Sequence, residues 1–228
     1  MVINLPIQGT NRVYEVRPQK VIGLGQNYRG PDDTAQSLPT EPILFAKTPN
    51  VLIESGKPII IPKFLNDYKF DKMMVVFEAE LAFFIKERCK NVPESEAYDY
   101  VYGFTCMNDV SQRNLQAMDK AGWFRGKSID TFGPIGPKIV LKEDLGDAQN
   151  LDICCRLNGE IVQKSNTKNM IFSIPNMIAY ISKHLTLEPG DLITSGTPAG
   201  PGPMKHGDMV EVEINGIGIL KNPVIAES

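Results

Sequence analysis

Two glutamates, Glu78 and Glu80, lie within Val75–Ile85, a segment that alternates like a strand. Phe77, Ala79, Leu81, Phe83 and Ile85 fall on one face, and Glu78, Glu80, Ala82 and Phe84 on the other. Carboxylates held that close on a half-buried sheet repel, and the repulsion raises one pKa unless a cation sits between them. Mg²⁺ or Mn²⁺ suits such a pair, because hard cations prefer carboxylate oxygens and keep positions open for water and substrate. The same spacing also suits ordinary acids on a solvated strand face, and this segment alone leaves both readings open.

A second cluster runs from Asn108 to Gln116. A helix starting near Asp109 places Asp109, Arg113 and Gln116 on one face. Asp109 as an N-cap, with Gln112 completing a capping box, accounts for part of this pattern but not for Arg113 and Gln116. The third candidate is Lys127, which follows Gly126 and precedes a turn at Thr131-Phe132-Gly133-Pro134. That setting suits a side chain delivered into a pocket; a solvated surface lysine is the ordinary alternative.

The elements that must carry these groups are mostly strands. Val21–Leu24 reads as a short buried strand, followed by a Gly-, Pro-, Asp- and Ser-rich stretch, 25–41, that reads as a flap loop. Pro42–Ala46 and Lys57–Pro62 are further strands. Pro93 suits the first turn of a helix running through Tyr98 and Val101 and stopping before Gly103. Asn158-Gly159 is a two-residue hairpin turn between Leu151–Leu157 and Glu160–Lys164. Ser173 caps a helix whose Ile174, Met177, Ile178, Ile181 and Leu185 form one apolar stripe. Val210, Val212 and Ile214 alternate with acids before Asn215-Gly216 turns the chain into Ile217–Leu220. Local hairpins without a regular βαβ alternation predict a β-rich α+β or barrel-like domain.

Composition narrows the function classes. The 228 residues fit one large domain or at most two small ones, and 42% hydrophobic content can fill a sizeable core. A net charge of −3 without a long Lys/Arg run disfavours nucleic acid and anionic membranes as partners. No apolar stretch is long enough to span a bilayer, and Met1–Gln8, with Pro6, lacks a signal pattern, so a cytoplasmic protein is expected. Cys89, Cys106, Cys154 and Cys155 form no CxxC pair, and adjacent strand cysteines point to opposite faces, so reduced structural thiols are expected. Gly23-Leu24-Gly25 after a strand hints at a dinucleotide loop, but Tyr28 stands where the third glycine belongs.

The strings Phe77-Glu78-Ala79-Glu80-Leu81, Asn108-Asp109-Val110-Ser111-Gln112-Arg113, Gly126-Lys127-Ser128 and Ser195-Gly196-Thr197-Pro198-Ala199-Gly200 resemble, in order and spacing, signature blocks of the fumarylacetoacetate hydrolase family. Gly25-Gln26-Asn27-Tyr28, Asn158-Gly159-Glu160, Pro189-Gly190-Asp191 and Gly216-Ile217-Gly218 match as well, so the resemblance extends from Val21 to Val224. It is strongest to short members that are 2-hydroxyhepta-2,4-diene-1,7-dioate isomerases, oxaloacetate tautomerases or decarboxylases, and acylpyruvate hydrolases. The resemblance implies a mixed β-sandwich roll, a single catalytic domain over 1–228 with an N-terminal extension at 1–20, and a homodimer. It implies that Glu78, Glu80 and Asp109 hold Mg²⁺ or Mn²⁺, with Ca²⁺ a further candidate. It also implies that Arg113, Gln116 and Thr197 bind substrate and that Lys127 assists proton transfer.

The expected substrate is a small 2-oxo or 2-enol carboxylate, with enolate charge stabilised by the ion. One feature departs from the pattern. Hydrolytic members carry a His and a Glu shortly after the Asn-Tyr pair, whereas Tyr28 here is followed by Arg29-Gly30-Pro31-Asp32-Asp33-Thr34. His184, at a helix end, and His206, in a loop, match no site position. Hydrolysis of a C–C bond needs an activated water, whereas tautomerisation needs only a proton shuttle, which Lys127 supplies if desolvation lowers its pKa. Isomerisation or tautomerisation is therefore favoured, with decarboxylation next. Hydrolysis requires Asp32 or Asp33 to replace the missing pair. A catalytically silent metal- or metabolite-binding protein is the alternative of another class.

Overall fold

The computed structural model describes residues 2–30, 33–34, 36–120 and 122–228. It is a β-rich α+β fold built on two large mixed sheets. The seven-stranded sheet runs in the spatial order Ile43–Lys47, Val21–Gly25, Leu192–Thr194, Ala79–Ile85, Val101–Asn108, Gly133–Leu141 and Leu52–Glu54. The five-stranded sheet runs Glu160–Asn166, Asp152–Leu157, Met209–Ile214, Gly218–Ala226 and Ile59–Ile61.

Both faces of the central Ala79–Ile85 strand are buried, which explains why it reads as apolar almost throughout. Leu81 and Phe83 join a core shared with Ile153, Cys155, Val212 and Ile214 of the five-stranded sheet. Ala82 and Phe84 pack on the opposite side against Ile3, Leu5 and Val16. Those last residues belong to a hairpin, Ile3–Pro6 with Val13–Val16, so the N-terminal extension is a cover over the second face of the sheet.

Several expected elements shift for identifiable reasons. The strand expected over Val75–Ile85 is two pieces. Val75–Val76 pairs with Ser111–Gln112, and Ala79–Ile85 pairs with Val101–Asn108. Between them, Phe77 N–H reaches Gly202 O at 3.1 Å. The helix expected from Pro93 through Val101 is only Glu94–Ala97 plus a 3₁₀ turn at Tyr98–Tyr100. Val101 instead opens a strand opposite Ile85, where aromatic and β-branched residues pack well. The Ser173 cap holds as expected: its hydroxyl accepts from Asn176 N–H, and the helix spans Ile174–His184. Asn158 and Gly159 both have positive φ, 54° and 90°, as a tight hairpin turn requires. The four cysteines are free. Among the described residues no helix is long and apolar enough to cross a membrane.

Gly103, beside the buried face of the central strands, is held to glycine by close backbone approach. A Cβ there would lie 2.7 Å from Val140 O and 2.8 Å from Ile139 Cγ2. Gly103→Ala is expected to lose roughly 1–3 kcal/mol of stability, as overpacked cores do, measured by urea denaturation.

Candidate active site

Antiparallel pairing creates the acidic cluster. Glu80 faces Met107 and Ala79 faces Asn108 across the central strands, so the residue after Asn108 emerges beside the glutamates. Two hydrogen bonds fix this end: Asp109 N–H donates to Glu78 O at 2.9 Å, and Glu78 N–H donates to Asn108 Oδ1 at 2.9 Å. Glu78, Glu80 and Asp109 are 4%, 1% and 0% exposed, which excludes the solvated strand face. One carboxylate oxygen from each lies within 4.8 Å of the others.

Asp109 does not start a helix or cap one. The helix is Arg113–Met118, and Gln112 is its N-cap, accepting Leu115 N–H at 2.8 Å. The pairing of Ser111–Gln112 with Val75–Val76 keeps the chain extended past Asp109 and delays the helix. Arg113 still points at the cluster, its guanidinium paired with Glu78 Oε1 while 41% of the side chain stays exposed. Gln116 is buried in the cleft wall with Oε1 unpartnered.

Lys127 ends a short helix, Phe124–Lys127, pressed against the Arg113–Met118 helix. Gly126 permits that contact, because a Cβ there would lie 2.7 Å from Gln112 O and 2.9 Å from Gln116 N. The Lys127 ammonium bridges Glu78 Oε2, at 2.8 Å, and Asp109 Oδ2. It lies 4.4 Å above the Phe45 ring.

A third cation, Lys47, was not singled out from sequence. Fully buried, it donates to Asp109 Oδ1 at 2.6 Å and to Val110 O at 3.1 Å. Its signal lay in the alternation of Ile43–Lys47: Lys47 is two residues after Phe45 and shares its face.

The turn at Ser195–Gly200 closes the other side. Glu80 Oε2 accepts the Thr194 hydroxyl and Gly196 N–H, the latter at 2.9 Å. Gly196 has φ +87°, and a Cβ would lie 2.8 Å from Asn27 Cβ, so the turn needs glycine twice over. Asn27 ties the flap base to this turn through Ser195 O at 2.8 Å. Thr197 Oγ1 accepts from Gln163 Nε2 at 2.9 Å, and Gln163 is a further residue that sequence reading passed over.

Glu78, Glu80, Arg113, Gln116, Lys127 and Thr197 all line one cleft of about 450 Å³, together with Tyr28 and Asp33 of the flap. Asp109 lies directly behind Lys127. Asp33 accepts Gly30 N–H at 2.6 Å; Asp32 lies outside the described residues. The histidines are elsewhere: His184 Nδ1 is 2.9 Å from Tyr180 O, and His206 Nδ1 accepts Ala226 N–H at 3.1 Å.

Burial and crowding set the protonation states. Burial, then the charges of Asp109 and Glu78, push the Glu80 carboxyl well above its usual range, against Lys127 and the Gly196 N–H. Burial also pushes Asp109 up, but Lys127 and Lys47 outweigh it and hold Asp109 below its usual value. Burial lowers Lys47, only partly offset by Asp109. Burial acts the same way on Lys127, yet three facing carboxylates raise it overall. The condition set for a Lys127 proton shuttle, a pKa lowered by desolvation, is therefore not met while those carboxylates are free. The cluster suits a hard divalent cation: its donors are all carboxylate oxygens, and the charge crowded onto Glu80 asks for a cation.

The chain matches the family described as Fumarylacetoacetate (FAA) hydrolase C-terminal over residues 20–225. It is 41% identical over 220 residues to a mitochondrial oxaloacetate tautomerase of Xenopus laevis, covering 91% of this chain and 66% of that protein. The structure of 2-hydroxyhepta-2,4-diene-1,7-dioate isomerase from Mycobacterium marinum superposes with a TM-score of 0.83 and 36% identity, covering 96% of this chain and 82% of the other. Fumarylpyruvate hydrolase from Pseudomonas aeruginosa, solved with Mn²⁺ and pyruvate, gives a TM-score of 0.86 at 26% identity, covering 99% and 97%.

A carboxyl whose folded pKa is raised contributes stability below its unfolded pKa and loses it as pH rises through the folded value. Metal-free protein should therefore lose stability as Glu80 ionises, and a divalent ion should restore it. Melting curves of EDTA-treated and Mn²⁺-loaded protein are expected to diverge as pH rises. Glu80→Gln, which mimics the protonated form, should melt no lower than wild type without metal at alkaline pH and gain little from Mn²⁺. A large drop in the metal-free variant's melting temperature would contradict the charge assignment.

Proposed function

This chain belongs to the fumarylacetoacetate hydrolase family, and from that premise we propose that it is a divalent-metal-dependent enzyme that tautomerises or isomerises a small 2-oxo or 2-enol dicarboxylate. The observation that carries the reading is the buried cluster of Glu78, Glu80 and Asp109 with Lys127 across it, at the wall of a cleft. With all groups ionised, these carboxylates are balanced by Lys47, Lys127 and Arg113, so a divalent ion leaves about two positive charges for a dianionic substrate to neutralise. The Xenopus laevis oxaloacetate tautomerase and the Mycobacterium marinum dioate isomerase support the same substrate class and reaction.

Glu78, Glu80 and Asp109 would hold the ion; the Mn²⁺ of the Pseudomonas aeruginosa hydrolase supports this. When bound, the ion supplies Lewis-acid charge to the adjacent carboxylate and oxo oxygens of a 2-oxo acid. Lys127 Nζ moves the proton between C3 and the oxo oxygen. Neutralising the carboxylates it faces removes the pull that raises its pKa and lets burial bring it into range. Arg113, Gln116 and Thr197 orient the substrate; the unpartnered Gln116 Oε1 is an acceptor awaiting a donor. Gly30, Asp33, Leu38 and Pro39 bring the flap to the cleft wall.

Hydrolytic C–C cleavage is the second reading, favoured by the likeness to fumarylpyruvate hydrolase and by Asp33 at the cleft wall. Among the described residues the cleft wall holds no histidine to activate water, which favours tautomerisation.

Ultraviolet absorbance of oxaloacetate in mildly buffered solution tests the choice. Protein with Mn²⁺ should speed keto–enol interconversion, and EDTA should abolish the effect. Lys127→Met should lower turnover by about 10²-fold or more, in the range of lost acid–base catalysis, with a far smaller change in Mn²⁺ affinity. Rapid release of pyruvate from an acylpyruvate, with no tautomerase activity above buffer, would establish the second reading instead.

A further inference from the structure

The oxygens of the acidic cluster are not equally available. Glu80 Oε2 is taken by the Thr194 hydroxyl and Gly196 N–H, and Glu78 Oε1 by Arg113. Asp109 Oδ1 is taken by Lys47. One oxygen of each carboxylate therefore remains for another partner: Glu80 Oε1, Glu78 Oε2 and Asp109 Oδ2. Lys127 bridges the last two.

These restraints differ in how firmly they hold. Arg113 is partly exposed and can release Glu78 to water. Lys47 has a side chain with no exposure, is anchored at its far side by Val110 O and is absent from the cleft wall. An ammonium in that position has nowhere else to go, and it denies Asp109 Oδ1 to any ion in the cleft.

From this we infer that Lys47 is a positioning residue that makes Asp109 a single-oxygen ligand, and thereby tunes the site toward Mn²⁺ or Mg²⁺ and against Ca²⁺. The inference rests on the metal-binding reading above. Ca²⁺ takes a larger, flexible oxygen shell and gains from carboxylates that chelate through both oxygens. Mg²⁺ is smaller, demands octahedral geometry and usually keeps several waters. With Asp109 held to one oxygen by Lys47, and Glu80 Oε2 engaged by Thr194 and Gly196, the cluster serves the smaller ions and offers Ca²⁺ fewer chelating carboxylates. A sequence that buried an uncharged residue at position 47 would free Asp109 Oδ1 and widen the choice of ion.

The test is calorimetric titration of EDTA-stripped full-length protein with Mn²⁺ and with Ca²⁺. Wild type should bind Mn²⁺ about tenfold or more tightly than Ca²⁺, and Lys47→Met should narrow that ratio by about fivefold or more. Removing the Lys47 charge raises affinity for any dication, so the ratio, and not either affinity alone, reports ligand geometry. Lys47→Met that folds and keeps the wild-type ratio overturns the inference, as does wild type that binds the two ions equally. Should Lys47→Met fail to fold, a crystal structure of Mn²⁺-loaded wild type decides: Asp109 bound through Oδ2 alone supports the inference, and Asp109 chelating through both oxygens overturns it. Absence of binding by either ion overturns the metal-binding reading itself, which distinguishes that failure from the failure of this one.

Discussion

Three carboxylates share a space from which water is nearly excluded, and much of the surrounding structure answers that constraint. Desolvating one ionised carboxylate without compensation is prohibitively unfavourable, and here three crowd within reach of a single ion. The protein answers with cations on different sides: Lys47 from beneath, Lys127 across the cluster and Arg113 from the rim. Glu80, buried and without a lysine of its own, takes an amide and a hydroxyl instead and is left with the raised pKa. Removing one partner of a buried ion pair typically costs about 3–5 kcal/mol, so these residues are bound to folding as well as to chemistry.

The fold serves this cluster through backbone geometry. Hairpin pairing of the central strands brings Asp109 to Glu78 and Glu80, so the three do not depend on a flexible loop for their arrangement. Glycines stand where backbones must touch. Gly126 lets the Lys127 helix lie against Gln112 and Gln116, and Gly196 lets its own N–H reach Glu80 while the turn rests on Asn27. The N-terminal hairpin covers Ala82 and Phe84 on the second face of the sheet, while the turn that follows Thr194 encloses Glu80 at the cleft.

Much of this was legible in the chain. Alternation placed Glu78 and Glu80 on one face, hairpin turns stood out as Asn-Gly pairs, and the Ser173 cap marked its helix. What escaped were features set by partners distant in sequence. Asp109 looked like a helix start because Asn, Asp and Ser favour caps, but pairing of Ser111–Gln112 with Val75–Val76 overrode that local preference. Val101 left the expected helix for the same reason, claimed by Ile85. Lys47 fell just beyond the expected strand Pro42–Ala46; only its burial against Asp109 reveals a role. The direction of the Lys127 pKa likewise depends on three facing carboxylates that no local window contains.

The central claim is that Glu78, Glu80 and Asp109 act together as one cation site. Calorimetric titration with Mn²⁺, repeated in buffers of different ionisation enthalpy, addresses it most directly because it counts ions and released protons together. The account predicts one tight Mn²⁺ per chain, proton release on binding near neutral pH, and loss of both in Asp109→Ala. Binding that survives unchanged in folded Asp109→Ala, or no binding in the wild-type protein, would contradict it.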